Sequence, residues 1–516
     1  MRKLLAAIIA AVAIAQLWLA HRYFGFMTGD DVEVLSEAFR RARGLDFHPW
    51  DIRNLFVPDV FVAPVVWIAS KLGISDTRTL IFAAALPFIA LTALTILLVY
   101  RLTLRWCNDE RAALVAVLLF AMHWIPLGFG STVYPRTLAA ACVVGAALIV
   151  ERWPFAAGGL VGLAFADRFS EIVFLAPVLV MVTKHRQECL CHIEPSQESS
   201  IHANPSQESS VHIEPSQEFS TQTGRSQENS AHAGRSQESS VHAGPSQECP
   251  IHAPNGVAQT FLSVRWMQAL KVILGATVAI IVAVGIYDWL TWGAPFSSFI
   301  KFSHLTLVAP DFASRVKYQA PWWYLANLVR WCSPLLLPLL WYARRSRAIW
   351  FIVIPLLAFS AVRHKELRYL QVMIPFLAIA AAIGFASMYR SHRRIAIVLV
   401  VISLVWNLHG LRYFARKSQP AVEAAEWLGA NPRVHSIAAS QLWAFGDKLF
   451  LGDKMAMSDV GTPPEKLSEV TADAVALYET DLDVPSRVES LRANGYAPVR
   501  TFRDDPARAV VVFMKK

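Results

Sequence analysis

Residues 79–100 read TLIFAAALPFIALTALTILLVY, twenty-two positions without a charge. At about 1.5 Å per residue such a helix is roughly 33 Å long, enough to cross a hydrocarbon layer of about 30 Å. The same signature recurs at 4–20, 112–127, 137–150, 154–166, 172–183, 272–287, 331–343, 348–362, 370–388 and 395–408, in uncharged blocks of 12 to 22 residues. Across 516 residues the apolar share is 55% and the charged share 17%, where a soluble domain carries roughly 25% charged. One water-soluble core cannot hide that much apolar mass. The chain therefore reads as an all-α polytopic membrane protein of about 11 transmembrane helices with a small C-terminal α/β domain.

Charge sets the orientation. The formal charge is +9, but the basic residues sit in short clusters between apolar blocks, where they fix topology and give no footing for nucleic acid. Met1-Arg2-Lys3 precedes the first block, which reads as an uncleaved helix with a cytoplasmic N-terminus. Taken as one helix, 154–183 would run about 45 Å with Asp167, Arg168 and Glu171 at its centre, a costly place for charge. Two helices meeting at the outer surface avoid that cost. They also put Arg101, Arg105, Arg111, Arg152, Arg344, Arg345, Arg347, Arg390, Arg393 and Arg394 inside, so that of the strong basic clusters between closely spaced spans only 363–368 falls outside. Residues 60–70, flanked by Pro58 and Lys71 and holding Pro64, read as an interfacial or re-entrant piece.

Residues 186–254 belong to a different class. Ser-Gln-Glu recurs at Ser196, Ser206, Ser216, Ser226, Ser236 and Ser246, with His at 192, 202, 212, 232, 242 and 252. A period of ten fits neither the helix nor a familiar solenoid unit, and the segment holds too few large apolar residues to offset the entropy of folding. It reads as a disordered low-complexity insertion; metal binding by the His row with Cys189, Cys191 and Cys249 is the sharper alternative. The organisation is then 1–185, a membrane region with the first outer loop; 186–260, the insertion; 261–412, a second membrane region; and 413–516, a soluble domain on the outer face.

The outer loops collect the unusual polar residues. Asp30 and Asp31 open the first, followed by Glu37, Trp50, Asp51 and Arg53. Adjacent carboxylates can position a base or bind a divalent cation, although Thr28 or one of the acids serves equally well as a helix cap. Arg168 lies in the turn at 167–171, Asp288 ends the seventh block, and Trp322 and Trp323 belong to an aromatic run of the kind that marks a membrane interface. His364-Lys365-Glu366-Leu367-Arg368 places positive charge where it is normally scarce, and a lipid phosphate would compensate it. Carboxylates, a cationic patch and aromatic platforms suit sugar transfer from a lipid-linked phosphate. A lipid or polyprenyl-phosphate transporter is the alternative, though its stronger signature would be charges buried mid-helix.

These residues resemble the glycosyltransferase C superfamily, especially mannosyltransferases that use dolichyl-phosphate mannose. Their first-loop His-Pro-Asp-Glu, with a Glu six residues on, is matched by Thr28-Gly29-Asp30-Asp31 and Glu37. Their Trp-Glu and Arg-Ser pieces look like Trp50-Asp51 and Arg53-Asn54. Their His-Lys-Glu-X-Arg motif is matched by His364 to Arg368, and Asp288, Gly293 and Pro295 resemble a region after a central span. The resemblance implies an inverting transferase that takes a sugar, mannose by analogy, from a polyprenyl-phosphate donor to a glycan or lipid acceptor. It implies Asp30 as base with Asp31 beside it, and Arg168, His364, Lys365 and Arg368 around the donor phosphate. Glu37, Trp50, Asp51, Arg53, Asp288, Trp322, Trp323 and Glu366 would contact substrate. The expected place is an inner or cytoplasmic membrane, with the site on the periplasmic or extracellular side. The basic, Ala-rich style suggests a bacterial source.

After Lys417 the blocks shorten. Residues 422–428 and 485–493 read as helices and 433–439, 473–478 and 509–514 as strands, with loops around Gly452, Gly461 and Pro463. No nucleotide-binding glycine pattern accompanies them.

Overall fold

The computed structural model describes residues 1–23, 29–45, 54–184, 255–307, 318–415, 419–452, 455–461, 464, 467–504 and 508–516. Thr28, Trp50, Asp51, Arg53 and the ten-residue repeat lie outside these. Residues 1–184 with 264–516 form one compact unit and 185–263 a second.

The first half is a run of helices: α1 (Arg2–Tyr23), α2 (Gly29–Ala42), α3 (Ala63–Lys71), α4 (Thr77–Cys107), α5 (Glu110–Ala121), α6 (Trp124–Phe129), α7 (Arg136–Ile149), α8 (Pro154–Asp167) and α9 (Leu175–Lys184). Local chemistry marks their ends. Asp76 caps α4 by accepting from the Thr79 amide at 2.8 Å, and its carboxyl is held below the usual range by the Thr79 hydroxyl and amide. Asn108 closes α4 in the left-handed region at φ 49°, and Asp109 immediately caps α5. The α4–α5 reversal therefore needs only two residues.

Among the described residues five helices are long and apolar enough to cross a membrane: Arg2–Arg22, Thr77–Cys107, Arg265–Trp292, Ile374–Ser391 and Arg393–Leu411. Arg136–Ile149, Pro154–Asp167, Phe169–Thr183 and Arg347–Ala361 are shorter apolar helices. The chain is a mostly helical, multi-pass integral membrane protein. Counting by helix length thus gives fewer spans than counting apolar blocks, because several blocks are cut by prolines, glycines or 3-10 turns. The 154–183 stretch is broken where its charges fall: α8 stops at Asp167, Arg168 is extended at φ −151°, and a 3-10 turn, Phe169–Phe174, leads into α9. Residues 58–71 form a π-helical turn and α3, about 21 Å in all and too short for a span.

Helix α8 and the helix Asn255–Ile280 approach so closely that only glycine fits. A Cβ on Gly158 would lie 1.9 Å from the Val272 carbonyl oxygen, and one on Gly275 would lie 1.9 Å from that of Phe155. This is the small-residue contact by which helices associate in lipid, where apolar burial supplies no drive.

The C-terminal α/β domain has a five-stranded sheet of order β2-β1-β3-β5-β4, built from β1 (Ser436–Ala439), β2 (Ala456–Asp459), β3 (Ala474–Tyr478), β4 (Tyr496–Phe502) and β5 (Val510–Lys515). Strand β1 runs parallel to β2 and β3, while β5 is antiparallel to β3 and β4. Strand β2 lies between Gly452 and Gly461, and neither it nor β4 is among the strands expected from sequence. The domain meets the membrane helices through Arg78–Glu426 at 2.5 Å and Arg22–Asp504 at 2.6 Å. The short helix Lys448–Leu451 also packs on α2.

Gly158→Ala should cost about 1–3 kcal/mol through overpacking against a rigid backbone. Gly159→Ala, whose Cβ would meet nothing closer than 3.9 Å, should be neutral. Thermal unfolding of the two variants in detergent, side by side, measures the difference.

Candidate active site

Helix α2 is buried at every position from Asp30 to Phe39. Asp30, Glu33 and Glu37 fall on one face by helical spacing, and Asp30 is 7% and Asp31 0% exposed. Four acids inside a membrane protein demand cationic or hydrogen-bonding company. Asp31 accepts from the Thr132 hydroxyl at 3.1 Å. Asp30 Oδ2 is ion-paired with Arg168 and lies 3.4 Å from Arg368 Nη1. The helix begins at Gly29, so Asp30 sits inside the first turn and not at the cap; Thr28, the other capping candidate, is among the undescribed residues.

Arg368 also pairs with Glu366, and Glu366 Oε1 lies 3.2 Å from His364 Nε2. Burial, the largest influence on the Glu366 carboxyl, pushes its pKa up. Arg368 and the His364 hydrogen bond outweigh it and hold the group down to about 2. The Arg368 guanidinium stands 5.6 Å from the centre of the Tyr134 ring. Tyr134 is fully buried, and its hydroxyl makes no hydrogen bond among the described residues. Lys365, also buried, donates to the carbonyls of Gln319 (3.2 Å) and Val362, and burial lowers its pKa.

The structure thus brings together Asp30, Arg168, Arg368, Glu366 and His364, with Asp31 one residue away. Lys365 braces the neighbouring backbone. Glu37 is buried two turns along α2. Asp288 accepts from Asn54 Nδ2 at 2.9 Å and from the amide and hydroxyl of Ser298 at 2.8 and 2.6 Å, anchoring the start of the helix Ser297–Leu307. Trp322 is exposed, whereas Trp323 packs edge-on to Tyr324, whose hydroxyl donates to the Glu366 carbonyl at 3.3 Å. No three His, Cys, Asp or Glu side chains converge on a metal position among the described residues. The guanidinium groups flanking Asp30 also oppose a second cation at that carboxylate.

Sequence reasoning placed Tyr134 and Arg136 in one outer turn and Asp167 and Glu171 in the next, but gave the segment that frames this cluster no role. Thr132 bonds Asp31, Tyr134 underlies Arg368, Arg136 pairs with Glu171 at 2.7 Å, and the Ala139 amide donates to Asp167 at 3.0 Å. The signal was an arginine opening an apolar helix directly after a Tyr-Pro turn.

The Alg9-like mannosyltransferase family matches residues 249–427, a stretch that includes His364 to Arg368 but not Asp30. GPI mannosyltransferase 3 of Yarrowia lipolytica is 28% identical over 170 residues, 31% of this chain and 32% of that protein. The chain therefore spans about a third of the length of this curated relative. The fold matches the crystal structure of ArnT from Cupriavidus metallidurans bound to undecaprenyl phosphate, with a TM-score of 0.53 and 13% identity over 98% of this chain and 97% of that one. Apo ArnT gives 0.51 at 14% identity and the same coverage. The family match thus covers about a third of the chain, and the ArnT structures share its fold. Within this fold the acids and the basic motif, far apart in sequence, share one ion cluster.

The Glu366 pKa is depressed from 4.5 to about 2, so its contribution to stability is complete above 4.5 and is lost as pH falls through about 2. In Arg368→Gln the largest lowering influence is lost and only His364 still opposes burial and the Asp30 charge, so the Glu366 pKa rises. The acid-side loss of stability should then begin at higher pH than in wild type. Unfolding temperatures from pH 3 to 8 should show that limb moved up in the variant, with the wild type flat above pH 5.

Proposed function

We propose that this protein is a membrane glycosyltransferase that moves a sugar from a lipid-phosphate donor to an acceptor hydroxyl with inversion. The finer reading is a polyprenyl-phosphate donor, mannose as the sugar, and a glycan or lipid acceptor. It also places eleven crossings in an inner or cytoplasmic membrane, with the site and the C-terminal domain on the periplasmic or extracellular side. One observation carries it: a buried carboxylate, Asp30, is held between two guanidinium groups, Arg168 and Arg368.

Asp30 takes the proton of the acceptor hydroxyl as its oxygen attacks the anomeric carbon. The bond from that carbon to the phosphate oxygen breaks, and the polyprenyl phosphate leaves. The phosphodiester gains one negative charge as Asp30 loses one, so total charge is conserved. Arg168 and Arg368, paired with Asp30 at rest, are the cations nearest to stabilise that departing charge. His364 and Glu366 orient Arg368, Asp31 orients the first turn of α2, and Lys365 holds the loop. Trp322 is a lipid or donor-tail contact, and Glu37, Trp50, Asp51, Arg53, Asp288 and Trp323 complete the substrate surroundings. No step requires a divalent cation.

Purified protein in liposomes, given radiolabelled polyprenyl-phosphate mannose, glucose or arabinose with membrane acceptors, tests the proposal. Wild type should transfer one of them. Asp30→Asn should lose about 10²–10⁴-fold in kcat while still binding donor. Undiminished transfer by Asp30→Asn removes the base assignment. Donor movement across the bilayer without transfer, equal in both proteins, would favour the transporter reading.

A further inference from the structure

The arginines that meet at Asp30 come from separate segments, and a third arginine joins those segments. Arg136, the first residue of α7, is 4% exposed and pairs with Glu171, which is fully buried, at 2.7 Å. Its Nη2 donates to the Ser170 hydroxyl at 3.2 Å, so it holds the turn immediately after Arg168. Its Nη1 donates to the Tyr369 carbonyl at 2.9 Å, and its guanidinium lies 4.3 Å from the Tyr369 ring centre, so it also holds the residue after Arg368. Two further bonds from the same helical turn repeat the pattern: Thr137 accepts from Gln371 at 2.9 Å, and the Ala139 amide donates to Asp167, the residue before Arg168.

We infer that Arg136, paired with Glu171, is a positioning residue that sets the spacing of Arg168 and Arg368, and hence the geometry of the donor-phosphate site. This rests on the glycosyltransferase reading for the identity of the phosphate, but not for the spacing itself. A planar guanidinium can serve a carboxylate, a hydroxyl, a carbonyl and a ring face together, while a lysine ammonium serves as a point charge. The pair could instead be merely structural, and a buried pair exchanged for well-packed apolar residues often leaves stability unchanged. That difference makes the two roles separable.

The test uses full-length protein in nanodiscs: wild type, Arg136→Lys, and the double variant Arg136→Met with Glu171→Leu. A radiolabelled polyprenyl monophosphate is the probe. Positioning predicts that folded, thermally stable variants bind the probe more weakly, with an unchanged number of sites. Donor KM should rise and transfer fall, by about 10²-fold for a displacement near 1 Å, while acceptor KM stays put. A purely structural role predicts fewer active molecules with wild-type probe affinity, and that result overturns the inference.

A second readout needs no donor. If Arg136→Lys lets Arg368 drift from Glu366, the acid-side loss of stability should move to higher pH. Failure of wild type to bind any polyprenyl phosphate would sink the glycosyltransferase reading and leave this acid limb to decide the positioning role. An unmoved limb would overturn it, and should the double variant fail to fold, the lysine variant alone decides.

Discussion

A carboxylate buried in a membrane protein must find its countercharge inside the protein. Moving an unpaired ion out of water costs several kcal/mol even after relaxation, and pairing recovers this only when geometry and hydrogen bonding are good. Asp30 meets that condition through Arg168 and Arg368, and the condition orders much of the fold. The first turn of α2, the break between α8 and α9, and the 362–370 loop must arrive at one place. The break at Arg168 is the clearest consequence, since a continuous helix would have carried that side chain into lipid.

Physical cost explains what was legible beforehand. Every apolar block falls mostly on helical structure, with 112–127 and 331–343 each split by a short non-helical stretch, because uncharged segments in lipid must satisfy their own backbone. The division near Asp167 could be read from the expense of charges at a span's centre, and the importance of 364–368 from positive charge on the disfavoured side. Thr132, Tyr134 and Arg136 offered no such cost. Each is an ordinary turn or helix-end residue in sequence and gains its role only when distant segments pack. In the C-terminal domain β2 is four residues without alternation, and β4 is interrupted by Pro498 at a register shift. A proline reads as a breaker in sequence, yet an edge strand tolerates it.

The soluble domain bears on the site through α2. That helix is buried from Asp30 to Phe39 and touches the short elements Leu442–Phe445 and Lys448–Leu451. Phe414 packs edge-on to Phe129 at 5.2 Å and lies so close to Gly128 that a Cβ there would meet its ring at 2.0 Å. The partly exposed bridges Arg22–Asp504 and Arg78–Glu426 contribute little individually. Apolar contact is the stronger attachment, and it makes the acid-bearing helix a shared element of both regions.

Charge counting gives the proposed reaction a further constraint. Arg168 and Arg368 balance Asp30 and Glu366, and Arg136 balances Glu171, so these ion pairs carry no net charge at rest, with buried Asp31 and Lys365 of opposite sign beside them. A neutral cluster has no strong attraction for a phosphate. It acquires one when Asp30 takes a proton, for the two guanidinium groups then lose half of the opposing charge at the moment the leaving phosphate gains its second. The stabilisation is thereby larger for the transition state than for bound donor, which is what raises turnover without tightening ground-state binding. Separate bases and phosphate binders would lack this coupling; it follows from sharing the same arginines between the two.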